Sequence, residues 1–240
     1  MESREAPAPA STALRERLAL ACRMLVNERV LDQSGHISAR HPDDPNAFFI
    51  HPHRLSRYEV TPDQLLVVDL DGQLLEGSDR APSEVFIHTQ IYRARPDVGS
   101  ICHMHSRMAT VFSIAGRGLR AVTNYATFLG AEPLPVYPDP RHVRRPAAGD
   151  ALAAVLGQRP ACLMRAHGAV MVGGDVLEAF AGSIYLEENA LRAYMALQIG
   201  EVAGYTEDEA REVAAGNWRP GSRRKTWDYY RARARQAGLA

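Results

Sequence analysis

Apolar positions Leu14, Leu18, Ala21, Cys22, Leu25 and Val26 recur at helical spacing, which predicts an amphipathic helix over 12–30 with Ser11 or Thr12 as its N-cap. A glycine-containing turn over 31–35 then leads into a short strand ending near Arg40, and Phe48-Phe49-Ile50 reads as a second strand. Residues 64–70 and 73–76 read as two strands joined by the hairpin signal Asp71-Gly72. From Pro82 the period returns to that of a helix through Val85, Ile87, His88, Ile91 and Tyr92, and Pro96 ends it. A strand is predicted over 101–105, a helix from Ser106 to Gly116, short apolar pieces over 127–130 and 134–137, and a helix over 149–156. Strands follow over 161–165 and 169–172, the second closed by Gly173-Gly174, and then a long helix over 176–199. The basic run 219–225 reads as a solvated loop, and Trp227, Tyr229 and Tyr230 as the start of a last helix.

Composition narrows the classes without selecting one. The 240 residues suffice for one sizeable core, and the organisation expected is a disordered leader over 1–11 followed by a single domain over 12–240 with a helical tail. Lys plus Arg equals Asp plus Glu at 28 each, so net charge offers nothing to nucleic acid or an anionic membrane, and a small-molecule partner fits better. Cys22, Cys102 and Cys162 are odd in number and widely spaced, the usage of a reducing compartment. No apolar run reaches the roughly 18 residues of a membrane span, and the N-terminal stretch lacks a signal peptide's apolar segment, so a cytoplasmic protein is expected.

The candidate chemistry centres on Ile101-Cys102-His103-Met104-His105. In a strand, His103 and His105 share one face, where two imidazoles can grip a divalent metal or serve as hydrogen-bonded core residues; spacing alone leaves both readings open. His51-Pro52-His53 has the same spacing, but its proline implies a strand end or loop and a weaker metal site. Glu84 falls at a helix start, where the dipole favours a carboxylate, with His88 four residues on as a helix-face or core histidine. His36 follows a turn glycine, placed either at the surface or toward a ligand.

With Glu84, His103, His105 and His167-Gly168 assembled, the chain resembles the class II aldolase/adducin family over roughly 14–198. The marks are Gly35-His36-Ile37-Ser38, Pro82-Ser83-Glu84, Ile91-Tyr92 with Arg95-Pro96-Asp97-Val98, His103-Met104-His105-Ser106, Phe128-Leu129-Gly130 and His167-Gly168. The resemblance implies a three-layer α/β/α fold with a mostly antiparallel central sheet, and a homotetramer with active sites near subunit interfaces. By similarity His103, His105 and His167 are metal ligands and Glu84 the acid/base residue. One divalent ion per subunit is expected, zinc first, with manganese, cobalt or iron suiting the same ligands.

The sugar-phosphate aldolases of this family carry Gly-Asn, Thr-Pro-Ser-Gly and a pair of serines where this chain has Gly35-His36, His51-Pro52-His53-Arg54 and Pro82-Ser83. Imidazole and guanidinium replace a phosphate cradle, and His36, His53 and Arg54 can pair with a carboxylate by charge-assisted bonds. The pattern looks like the branch that decarboxylates hydroxylated aromatic acids of the dihydroxyphthalate type. His36 is expected beside Glu84 as a catalytic residue, with Ser83, His53, Arg54 and Ser38 contacting substrate. Tyr229 either packs in the terminal helix or reaches a neighbouring site. The expected activity is metal-dependent decarboxylation through an enolate. The alternatives are an aldolase or epimerase on a sugar phosphate or hydroxy-keto acid, and an adducin-like interaction module without catalysis.

Overall fold

The structure, a computed structural model, describes residues 10–240. Most of the expected leader, 1–9, lies outside the described residues, while Ala10 and Ser11 already belong to helix α1 (Ala10–Asn27). Strands β1 (His36–Arg40), β2 (Ala47–Ile50), β3 (Leu66–Asp69) and β4 (Leu74–Glu76) follow, then α2 (Val85–Ala94), β5 (Ser100–Met104) and α3 (Arg107–Ile114). The chain continues through β6 (Val136–Tyr137), α4 (Pro146–Leu156), β7 (Ala161–Met164), β8 (Gly168–Gly173), α5 (Val176–Leu197), α6 (Glu207–Asn217) and α7 (Pro220–Gln236). None of these helices is long and apolar enough to cross a membrane.

The strands form one eight-stranded sheet in the order β4-β3-β2-β1-β5-β8-β7-β6, antiparallel except for the β6–β7 pair. Both faces are covered, so strand residues of either parity are apolar. Phe48, Ile50, Ile101, Val170 and Val172 pack with Ile87, Ile91 and Leu152 of α2 and α4. Phe49, Cys102, Met104 and Met171 pack on the other side with Leu18 and Leu25 of α1, Phe180 of α5 and Trp227 of α7. A fully buried phenylalanine such as Phe48 or Phe49 contributes about 1.5–3 kcal/mol, so the strand pattern itself holds both helical layers to the sheet. This is the three-layer arrangement expected.

The central strands set the register of the site. His36 of β1 lies opposite His103 of β5, and Ser38 opposite Ile101, so these residues share the face covered by α2.

The C-terminal region corrects the sequence reading. Residues 219–225 are not a loop: Pro220 stands in the first turn of α7, where its missing N–H costs nothing, and the basic side chains Arg224 and Lys225 lie on the exposed face. Trp227 and Ala234 form the buried face, Trp227 edge-on to Phe180 at 5.2 Å. Helix α6 was not anticipated, although Thr206 and Glu209 form its capping box, a signal legible in the sequence. The cysteines are buried free thiols.

Candidate active site

Four side chains from three segments converge at the end of β5. Glu84 is the N-cap residue of α2 rather than part of its first turn, and its carboxylate makes no bond to its own helix. Its Oε1 instead accepts the Val143 N–H at 2.8 Å, and its Oε2 lies 3.5 Å from His167 Nε2 and 3.8 Å from His103 Nε2. Ligand atoms of Glu84, His103, His105 and His167 all lie within 4.8 Å of one another, and among the described residues no other such cluster of His, Cys, Asp or Glu occurs.

Each imidazole is placed by backbone geometry. His103 is the penultimate residue of β5, and its Nδ1–H donates to the Ala169 carbonyl of β8 at 3.2 Å, so Nε2 carries the lone pair. His105 lies just past the strand end, its Nδ1 3.1 Å from both oxygens of Asp32, which likewise leaves Nε2 as the free nitrogen. His167 sits in the β7–β8 turn behind Ala166, a residue with φ +54° whose N–H donates to Ser113 Oγ of α3 at 3.0 Å. Gly168 permits the close approach of this turn to β5: a Cβ there would stand 2.2 Å from the Met104 carbonyl oxygen.

The buried Nε2 atoms of His103 and His105 and both ring nitrogens of His167 have no protein partner. Three imidazole nitrogens beside a carboxylate form a donor set that fits a divalent cation, and such unpaired buried polar atoms are otherwise costly. Burial, reinforced by His105 and His167 and opposed by Glu84, pushes the His103 imidazole down to about 3, so it is neutral at pH 7. Burial opposes ionisation of Glu84, but the His167 and His103 imidazoles beside it and the Val143 N–H outweigh it and hold the carboxyl well below its usual range.

Two neighbours carry no periodic signal and were not singled out from sequence. Asp32 accepts the N–H groups of Ser34 and Gly35 at 2.8 and 2.9 Å, so the turn before β1 aims its carboxylate at His105. His142, in the loop between β6 and α4, places Nδ1 3.2 Å from Glu84 Oε2 while its side chain stays 57 % exposed. An acidic residue in the same turn as Gly35 was a readable hint for Asp32; nothing in the sequence around His142 was.

The remaining sequence candidates divide. His36 is buried, not at the surface, with its ring centroid 5.0 Å from that of His103. Burial, with His88 and His103 beside it, keeps His36 neutral, so a protonated imidazole pairing with a carboxylate is corrected here to a neutral one. Ser38 is also fully buried and its hydroxyl is engaged by His88 and Tyr92, so it stands behind the site rather than on its wall. His88 is the core histidine its helix position suggested. Ser83 is exposed directly before Glu84.

His53 and Arg54 line a cleft of about 680 Å³ together with Asp32, Arg57, His105 and Arg107. That cleft meets the cluster through His105; Glu84, His103 and His167 are not on its walls. His51 and His53 do not form a second cluster: His51 is buried with Nδ1 on the Pro52 carbonyl, while His53 faces the cleft. Tyr229, 57 % exposed, lines a separate cleft with Tyr125, Tyr185 and Tyr230, and within one chain it does not join the histidines.

The family model for the class II aldolase and adducin N-terminal domain matches residues 16–194. A 3,4-dihydroxyphthalate decarboxylase of Arthrobacter keyseri is 31% identical over 207 residues, covering 81% of this chain and 82% of that protein. A 5-deoxy-D-ribulose 1-phosphate aldolase of Bacillus thuringiensis serovar kurstaki is 29% identical over 165 residues, 69% of this chain and 76% of that protein. Among solved structures, an L-fuculose 1-phosphate aldolase from Glaciozyma antarctica superposes with a TM-score of 0.82 at 24% identity, covering 98% of this chain and 95% of that one. The chain belongs to the class II aldolase/adducin family.

Proposed function

We propose that this protein is a metal-dependent decarboxylase of a hydroxylated aromatic acid, of the dihydroxyphthalate type, or of a related ring-cleavage product. The observation that carries the reading is the cluster of Glu84, His103, His105 and His167, with its unpartnered imidazole nitrogens beside a cleft lined by His53, Arg54 and Arg107. Resemblance to the Arthrobacter decarboxylase supports the substrate class.

His103, His105 and His167 would hold the ion through Nε2. A divalent cation bound there supplies Lewis acidity to vicinal substrate oxygens, zinc being the first choice for three imidazoles. His36, neutral and adjacent to His103, orients an anionic oxygen of the substrate. The Arg54 guanidinium draws a second carboxylate toward the cleft, where the His53 imidazole, kept below its ordinary range by burial and the nearby arginines, adds a neutral hydrogen bond, and Ser83, exposed directly before Glu84, is a further substrate contact. Glu84, ionised at neutrality, takes the proton of a substrate hydroxyl. The carbon–carboxylate bond then breaks, carbon dioxide leaves with the electron pair left on the substrate, and Glu84 returns the same proton to that carbon. The product leaves with that oxygen anionic, to be protonated by solvent, and with this the step balances in proton and charge.

The test is incubation with a panel of hydroxylated phthalates and related acids, following carbon dioxide release with and without chelator. Release that chelation abolishes supports the reading, and no release across the panel sinks it. The second reading, an aldolase or epimerase on a sugar phosphate or hydroxy-keto acid, is favoured by the Bacillus thuringiensis relative and predicts aldehyde or epimer formation without carbon dioxide.

A homotetramer belongs to the same proposal. Leu191, Tyr194 and Met195 along α5, Ile199 just past its end, and Val111 and Ile114 on α3 are exposed apolar residues, suited to burial between subunits. Tyr229 would approach a substrate only from a neighbouring subunit. The buried free thiols suit a cytoplasmic location.

A further inference from the structure

Behind the metal-ligand cluster runs a line of buried polar groups of which the proposed reaction uses only His36. His36 Nδ1 lies 2.6 Å from His88 Nε2, His88 Nδ1 lies 2.6 Å from Ser38 Oγ, and Ser38 Oγ lies 2.8 Å from Tyr92 OH. His36 and Ser38 share a face of β1, His88 and Tyr92 are one turn apart on α2, and all four are at most 1 % exposed. No water-facing end exists at Tyr92, so the line is anchored in the core.

Its hydrogen-bond polarity can be deduced from donor counting. Both imidazoles are neutral, since a cation in either would be fully buried against another imidazole with no carboxylate hydrogen-bonded to it, and each therefore carries one proton. Two consistent directions exist. In the first, Tyr92 O–H donates to Ser38 Oγ, Ser38 O–H donates to His88 Nδ1, and His88 Nε2–H donates to His36 Nδ1, which leaves the His36 proton on Nε2. In the second every bond is reversed, His36 is bare at Nε2, and the Tyr92 hydroxyl proton has no acceptor in the core. A buried O–H without an acceptor is the costlier state, and the Arg40 guanidinium, 4.6 Å over the Tyr92 ring, further favours a phenol that gives its proton outward. The first direction pairs every group from Tyr92 to His36 Nδ1 and leaves only the His36 Nε2–H, beside the ligand cluster rather than deep in the core, for a substrate to accept.

We propose that Tyr92, Ser38 and His88 are positioning residues that hold His36 as its Nε2–H tautomer, making His36 a neutral hydrogen-bond donor to an anionic oxygen of the substrate. The same logic separates His36 from its neighbour in the sheet. His103, whose Nδ1–H is spent on the Ala169 carbonyl, presents a lone pair, whereas His36, 5.0 Å away, presents a proton. Two adjacent imidazoles are thereby given opposite roles, one a ligand and the other a donor. The donor role rests on the reaction proposed above; the tautomer does not.

The test is nitrogen-15 NMR of the full-length, zinc-loaded chain labelled at histidine, with the His36 signals identified by their loss in His36→Gln. The expected result is a proton on Nε2 of His36 in the native chain. Tyr92→Phe, which keeps the ring in the core, and Ser38→Ala should both release it to a tautomer mixture or to Nδ1–H. An Nδ1–H tautomer in the native chain overturns the proposal, as does an Nε2–H that persists unchanged in both variants. Because no substrate is present, an Nε2–H tautomer in a chain that releases no carbon dioxide would leave the relay standing and remove only the decarboxylase reading.

Discussion

Asp32 grips His105 through both carboxylate oxygens, each 3.1 Å from Nδ1, although the residues are 73 positions apart in the chain. Burial works against the Asp32 charge, yet the His105 hydrogen bond and the N–H groups of Ser34 and Gly35 prevail and hold the carboxyl well below its ordinary range. A carboxylate behind a ligating imidazole fixes its tautomer and raises its basicity. Asp32→Ala is therefore expected to weaken metal binding by about 10–100-fold. Competition against a chromophoric chelator measures it, and unchanged affinity would remove Asp32 from the site.

Glu84→Gln keeps the size of the side chain and an oxygen able to accept the Val143 N–H, but removes the carboxylate proposed to carry the proton. Turnover should fall by about 10²–10⁴-fold, the usual worth of a positioned acid/base, with the melting temperature little changed. Activity near the native level in a folded variant would reassign the proton transfer to another group.

The β7–β8 turn offers a pair of opposite outcomes. Gly168→Ala puts a methyl 2.2 Å from the Met104 carbonyl oxygen and 3.1 Å from His105 Cδ2, so β5 and the turn must separate; a loss of about 1–3 kcal/mol is expected, together with weaker metal binding. Ala166→Asn, at an exposed position with φ +54°, places a residue that tolerates this conformation and should raise stability by up to about 1 kcal/mol. Denaturant titration of both variants checks the signs.

Acid should destabilise the metal-free protein earlier than carboxylate chemistry would. Burial, with cationic Arg57 adding to it against the Pro52 and Gly35 carbonyls, pushes His51 down to about 3, and His103 is pushed down to about 3 as described; His36 and His88 are also lowered. Below the ordinary histidine range near pH 6.5 the unfolded chain takes up protons that the folded chain refuses, so stability drops as pH falls from about 6.5 toward 3. Each such group costs up to about 1.4 kcal/mol per pH unit. Calorimetry at pH 7.5, 6 and 5 should show a steadily falling melting temperature; a flat profile would mean that these imidazoles are not held neutral.

Much of the fold was legible because burial leaves a local trace. The apolar period of α1, α2 and α5 and the turn signals at Asp71-Gly72 and Gly173-Gly174 needed no tertiary context. The tail was misread because a run of Arg and Lys looks solvated in isolation, while its helix buries only Thr226, Trp227 and Ala234 along the opposite face. Within the site, His103 and His105 were visible as a pair since two residues of strand separation place them together. His142 was not, since it reaches the cluster across a loop whose path no local pattern encodes, and Asp32 was hinted at only by its place in the Gly35 turn.

By itself the sequence determined which groups this protein has available: three histidines and a glutamate in a recognisable order, two helical layers' worth of apolar faces, and strands apolar on both sides. The tertiary structure alone decided what each imidazole can do. Nδ1 of His103 meets a carbonyl, Nδ1 of His105 meets a carboxylate and Nδ1 of His36 meets another imidazole. A histidine's chemistry is set by the partner of its second nitrogen, and that partner is chosen by strand register and helix packing, which bring together residues far apart in the chain.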